Sequence, residues 1–138
     1  MNLKERYYEQ IRRSGHRLTE NRKAMIQILE NQHLTFKEIQ SELQRRGFYN
    51  VASIYNNLEF LVSNNIVIEI FVNNEKYYDL AMDNPGHSRD SHIHIGLKDT
   101  GEITEIVAPD IFNYIANHKD LNKLKINSIR IIISAENK

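Results

Sequence analysis

His92 and His94 are separated by one residue, in a run, His92-Ile-His-Ile95, that alternates polar and apolar side chains. Alternate side chains of a β-strand leave the same face, so this run sends both imidazoles to one side, where they could share a metal ion. Glu105 falls on the next expected strand and brings a carboxylate across the turn. Asp79 closes an earlier strand-like run, and His33 immediately precedes a helix start. Three imidazoles and two carboxylates, from His33, Asp79, His92, His94 and Glu105, form a nitrogen and oxygen donor set that suits Fe(II), Mn(II) or Zn(II). The chain has no cysteine, which excludes a thiolate nucleophile, a disulfide and any Cys-ligated zinc or iron–sulfur cluster. An H-x-H pair on an exposed strand is also an ordinary surface feature. Position gives this one more weight: His33 and Asp79 come from one half of the chain, and His92, His94 and Glu105 from the other. An ion held by all of them would clamp the halves together and act as a switch.

The elements that must place these residues follow from periodicity. Leu3, Tyr7 and Ile11 recur at fourfold spacing, predicting a helix over 3–13 that ends before Gly15. Thr19 is placed to cap a second helix carrying Met25, Ile28 and Leu29, and Thr35-Phe-Lys-Glu38 has the capping-box form that opens a third, ending at Gly47. A fourth helix starts near Ala52, with Ile54, Leu58, Leu61 and Val62 as its buried stripe and Ser53, Tyr55, Asn56 and Asn57 on the other side. From Ile66 the period changes to two. Ile66–Val72, a turn at Asn73-Asn74 and Lys76–Leu80 then read as a β-hairpin.

Helices followed by a hairpin make a winged helix-turn-helix, in which one helix enters the DNA major groove and basic flanks hold phosphates. Residues 1–25 hold seven Lys/Arg against three acids, although the whole chain has a formal charge of zero. A neutral sum can still leave one face basic, although such a run is also an ordinary solvated helical surface. Arg17 from this segment, with Ser53, Tyr55, Asn56 and Asn57, is the candidate set for double-stranded DNA. Residues 83–91, rich in polar residues with Pro85 and Gly86, read as a hinge between a DNA-binding domain at 1–82 and a second domain at 92–138. That second domain is expected to have strands over 92–97 and 102–107, a helix over 110–118 and a closing strand over 126–134. The fold class is thus α+β, a winged-helix domain followed by a small α/β domain. About 50 residues bury too little surface to stand alone, so a homodimer is expected.

In this order the features resemble the ferric uptake regulator family of metal-dependent repressors, over about Gly15 to Glu105. His16-Arg-Leu-Thr-Glu-Asn-Arg22 is similar to the entry of that family's second helix, and His33-Leu-Thr35 to its ligand-bearing loop. Ala52-Ser-Ile-Tyr-Asn-Asn-Leu58 is similar to its recognition helix, in a form nearer the peroxide-responsive PerR branch. Tyr78-Asp-Leu80, His92-Ile-His94 and Gly101-Glu-Ile-Thr-Glu105 resemble the remaining ligand segments. The resemblance implies a dimeric repressor of operator DNA with regulatory metal at His33, Asp79, His92, His94 and Glu105, Fe(II) or Mn(II) serving as corepressor. Peroxide-sensing members oxidise a ligating histidine with bound Fe(II), for which His33 and His92 would be the targets here; the alternative is an iron, manganese or zinc uptake regulator that ignores peroxide, and the resemblance leaves both open. Glu105 stands where peroxide sensors usually carry Asp, so helix and site point to different branches.

Departures from the family pattern are informative. Leu97 and Thr100 occupy positions where paired cysteines would hold a structural zinc, so that zinc is expected to be absent. Ser91, Ile93 and Asn127 replace auxiliary ligands, leaving one divalent ion per chain. Ile129, Ile131 and Ile133 are the candidates to hold the small domain by packing instead. The segment before His92 adds Asp83, His87 and Asp90 as substitute ligands for Asp79.

An enzyme would need more than a metal-ligand set. No nucleophile elbow, phosphate-binding glycine loop or H-E-x-x-H helix is present, so the expectation is no catalysis and no small organic substrate. A winged-helix protein whose histidines are incidental remains the other alternative. No signal peptide or apolar run of about 20 residues occurs, giving no membrane partner and a cytoplasmic location as expectations. His16 and His118 are not counted as ligands, His118 being assigned to a helix C-terminus.

Overall fold

The computed structural model describes residues 2–81, 92–126 and 129–138. The expected hinge at 83–91, with Asp83, His87 and Asp90, lies outside the described residues, as does Asn127. Four helices come first: α1 (Leu3–Arg13), α2 (Glu20–Ile28), α3 (Phe36–Arg45) and α4 (Val51–Ser63). Each has a side-chain N-cap. Thr19 Oγ1 accepts from Arg22 N, and Thr35 with Glu38 forms the full capping box. Asn50 Oδ1 accepts from Ser53 N at 2.9 Å, which starts α4 at Val51 rather than near Ala52. Gly47, at φ 92°, supplies the left-handed residue that lets the chain leave α3.

The stripes predicted from spacing meet in one core of Tyr7, Ile11, Met25, Leu29, Ile39, Leu43, Ile54, Leu58 and Leu61, among others. The hairpin follows as β1 (Val67–Val72) and β2 (Glu75–Leu80). Its turn residues Asn73 and Asn74 have φ of 52° and 65°, the doubly left-handed turn whose twist matches paired antiparallel strands. Leu34 and Tyr78 exchange backbone hydrogen bonds of 3.0 and 2.7 Å, so the loop carrying His33 lies beside β2.

The second half has β3 (His92–Leu97), β4 (Ile103–Val107), α5 (Pro109–Ala116) and β5 (Ile131–Ala135) in a sheet of order β4-β3-β5, with β3 and β5 parallel. The largest departures from the expected boundaries are at the end of α5 and the start of β5. Helix α5 stops at Ala116 because Asn117 turns its side-chain amide back to Asn113 O, and His118 leaves the helix in extended backbone to cap a 3-10 turn at Lys119–Leu121. His118 Nδ1 accepts from Asp120 N at 3.2 Å, a capping role in place of the dipole role expected for it. Strand β5 begins at Ile131 because β3 offers partners only from Ile93, opposite Ile131, to Leu97, opposite Ala135.

Alternation on β3 divides the two faces of this sheet. Ile93 and Ile95 turn toward α5 and pack with Ala108, Phe112, Ile129 and Ile131, whereas Ile133 lies outside that cluster and is 39% exposed. His94 and Gly96 take the other face, and there the wing arrives. Ile68, Ile70, Val72 and Ala81 form a separate buried cluster, against which Tyr77 and Ile103 pack. The wing hairpin thus belongs to two cores: Val67, Tyr78 and Leu80 pack with the helices, and Ile68, Ile70 and Val72 pack toward the second sheet. Among the described residues no helix is long and apolar enough to cross a membrane.

Candidate metal centre and nucleic-acid interface

Strand register assembles the donors. His94 and Glu105 are direct partners on β3 and β4, and Asp79 lies opposite Ile68 on the hairpin face that looks toward that sheet. His94 Nε2 stands 3.0 Å from Glu105 Oε1 and 3.8 Å from Asp79 Oδ2. His94 is 3% exposed, and Leu80 N donates to Asp79 Oδ1 at 2.8 Å, which fixes that carboxylate's rotation. Among the described residues, Asp79, His94 and Glu105 are the group whose ligand atoms all lie within 4.8 Å of one another. A divalent ion about 2.0–2.2 Å from each donor needs mutual donor separations of this order, so one nitrogen and two carboxylate oxygens fit such an ion here.

The other two candidates are placed differently. His92 joins through Glu105, its Nδ1 3.5 Å from Glu105 Oε2. His33 lies outside the three-residue group, its ring edge-on to Tyr77 with centroids 5.3 Å apart and planes at 83°. Because Tyr77 sits two residues before Asp79 on β2, that contact holds His33 beside the strand bearing Asp79. Asp79 belongs to the wing, and His94 and Glu105 to the second sheet, so the group spans both halves of the chain.

Of the residues expected to meet DNA, Ser53, Tyr55 and Asn56 are exposed on the first turns of α4, as is Arg17 before α2. Asn57 is different. Its Oδ1 accepts from Arg22 Nε at 2.9 Å and its Nδ2 donates to Ser53 O at 2.9 Å, so both ends of the amide are engaged within the protein. The residue whose role sequence reasoning missed is Arg22, named there only as a basic residue and as the end of the segment from His16. Its guanidinium lies 3.6 Å from the centroid of Phe60, and Nη1 donates to Arg17 O at 2.6 Å. His16 meets the same Phe60 ring edge-on at 4.8 Å. Burial lowers the Arg22 pKa from its ordinary value, yet a guanidinium starts so high that it stays charged. One planar cation therefore ties the loop before α2 to α4.

Replacing Arg22 with alanine is expected to cost about 1–2 kcal/mol of stability, from the stacked ring and the charge-assisted hydrogen bonds, discounted for partial exposure. Arg22→Lys should recover little, because an ammonium can neither stack nor fork. Urea unfolding of the two variants checks this; a lysine variant as stable as the parent would show that charge alone matters.

The comparisons with known proteins agree with this architecture. The family model described as "Ferric uptake regulator family" matches residues 13–134. The solved structure of the Helicobacter pylori ferric uptake regulator Fur is 23% identical with a TM-score of 0.63, covering 97% of this chain and 88% of that one. A ferric uptake regulator from Pseudomonas aeruginosa, solved with manganese, is 18% identical with a TM-score of 0.69, covering 94% and 96%. PerR from Streptococcus pyogenes is 24% identical with a TM-score of 0.54, covering 99% and 91%. A comparison with curated proteins finds no match. The structural likenesses speak for the shared fold of a winged-helix domain and a small α/β domain. Because the family model spans most of its sequence, the chain belongs to the ferric uptake regulator family.

Proposed function

We propose that this chain is a homodimeric, metal-dependent transcriptional repressor, whose hold on operator DNA is set by one divalent ion, Fe(II) or Mn(II), bound between its two halves. The observation that carries the reading is the meeting of Asp79 from the wing with His94 and Glu105 from the second sheet. His94 at the centre would be the nitrogen donor, Asp79 and Glu105 the oxygen donors, and His92 and His33 the flanking imidazoles. Two carboxylates turned toward one buried imidazole repel each other, and this repulsion opposes closure of the wing onto the sheet. The ion would supply the positive charge that offsets it. Closure is then favoured in proportion to the difference in ion affinity between the closed and open arrangements.

Ser53, Tyr55 and Asn56 would face base edges and Arg17 a phosphate, with Asn57 held by Arg22 to fix the helix that carries them. Ile106, Val107, Ile111, Tyr114, Ile132 and Ile133 leave apolar area exposed on the second half, which suits a second copy and hence two half-sites. This is regulation rather than catalysis, and it needs no substrate cleft. Leu97 and Thr100 offer no thiolate, so no structural zinc enters the scheme.

The test begins by selecting DNA from a random-sequence pool with the Mn(II)-loaded protein, then measuring affinity for the selected sequence with Mn(II), with anaerobic Fe(II) and with chelator. Binding that disappears in chelator is the expected result, and equal binding in all arms would leave a winged-helix protein without metal control. Adding peroxide to the Fe(II) arm separates the branches. A lasting loss of binding, with an added oxygen atom on the peptide bearing His33 or His92, marks peroxide sensing; unchanged binding marks a metal-uptake regulator.

A further inference from the structure

We infer that Gly96 is a positioning residue for the candidate metal centre: its missing side chain leaves the room that Val72 of the wing occupies, and that room is what lets Asp79 come close to His94. The inference rests on the reading given under Proposed function. Gly96 and His94 are two residues apart on β3 and share the face turned toward the wing. A Cβ placed on Gly96 would stand 2.6 Å from Val72 Cγ2 and 3.5 Å from the Phe71 carbonyl oxygen. Carbon atoms in ordinary contact keep about 3.5–4.0 Å, so no larger residue fits unless the wing or Val72 moves.

The glycine is not there for its backbone freedom. Positive φ marks Gly15, Gly47 and Gly101, and Gly96 is not among them. A glycine inside a strand weakens that strand, and one common reason for its presence is the close approach of another backbone.

Val72 has little room to yield. It is 3% exposed, belongs to the buried cluster of Ile68, Ile70 and Ala81, and is stiff at χ1 because it is β-branched. The same end of the hairpin is fastened to the sheet by Asn73 Nδ2, which donates to Lys98 O at 2.7 Å. A methyl group at position 96 is therefore relieved by lifting β1 from β3. Asp79 rides on the strand paired with β1, opposite Ile68, so lifting the hairpin carries its carboxylate away from His94.

The test is a size swap in the full chain, read by calorimetric titration with Mn(II) alone and by melting of the metal-free protein. G96A should weaken Mn(II) binding about tenfold or more, the usual scale of an overpacked contact. V72A, which removes the obstructing methyls, should stay within about threefold of the parent, and V72A/G96A should return to that range because the two sites couple directly. If G96A does not fold, the double variant decides: folded with parental Mn(II) affinity it supports the inference, and unfolded it overturns it. Parental Mn(II) affinity in G96A, or a double variant as weak as G96A, overturns the role of Gly96 while leaving the metal reading intact. A parent protein that takes up no Mn(II) overturns both.

Discussion

Replacing His94 with alanine is expected to weaken Mn(II) binding at least about a hundredfold, because mutation of mere outer-shell partners already costs 10–100-fold and His94 is the central donor. It contributes the one nitrogen of the group with Asp79 and Glu105, and its Nε2 lies within 4 Å of both carboxylates, 3.0 Å from Glu105 Oε1 and 3.8 Å from Asp79 Oδ2. Without it the two acids face each other with no neutral ligand between them. Metal-dependent DNA binding should fall with the metal affinity, since by linkage the ion can favour closure only as far as it binds the closed form better. His118→Ala is the control: half-buried and engaged in capping a 3-10 turn away from the cluster, it should leave Mn(II) titrations unchanged. Equal Mn(II) affinity in the His94 variant and the parent would remove this cluster as the site.

The second large effect is expected at Leu58. This side chain is fully buried in the helical core, on the face of α4 opposite Ser53, Tyr55 and Asn56. Leu58→Ala should cost about 2–5 kcal/mol, from lost burial and the cavity left behind, against a total stability of about 5–15 kcal/mol for a typical protein. Asn56→Ala, exposed on the same helix, should change stability by no more than about 0.5 kcal/mol while still weakening binding to selected DNA. Urea unfolding separates the two. A cost below about 1 kcal/mol at Leu58 would mean that α4 is not seated as described.

The fold was legible wherever local chemistry decides it. Thr19, Thr35 with Glu38, and the Asn73-Asn74 turn act on backbone groups within a few residues, and each does what its type dictates. The pairing of His94 with Glu105 was readable for the same reason, since a short hairpin largely fixes its own register. What could not be read depends on partners distant in sequence. The parallel pairing of β5 on β3 is set by how many residues β3 offers, which shortened the strand expected over 126–134. Arg22 looked like one more surface cation because Phe60 and Asn57, its partners, lie 35 or more residues along the chain. His33 was expected as a ligand, and nothing in its local sequence announced that its ring would meet the edge of Tyr77.

The central place of β3 has a further consequence. Its backbone is bonded on both sides, to β4 and to β5, whereas each neighbour has an open edge. Its amides should therefore exchange with deuterium more slowly than those of β4 and β5, through cooperative opening of the sheet rather than fraying. An imidazole mounted on such a strand cannot drift to suit an ion of the wrong radius, so discrimination by size would fall to the carboxylates at its margins.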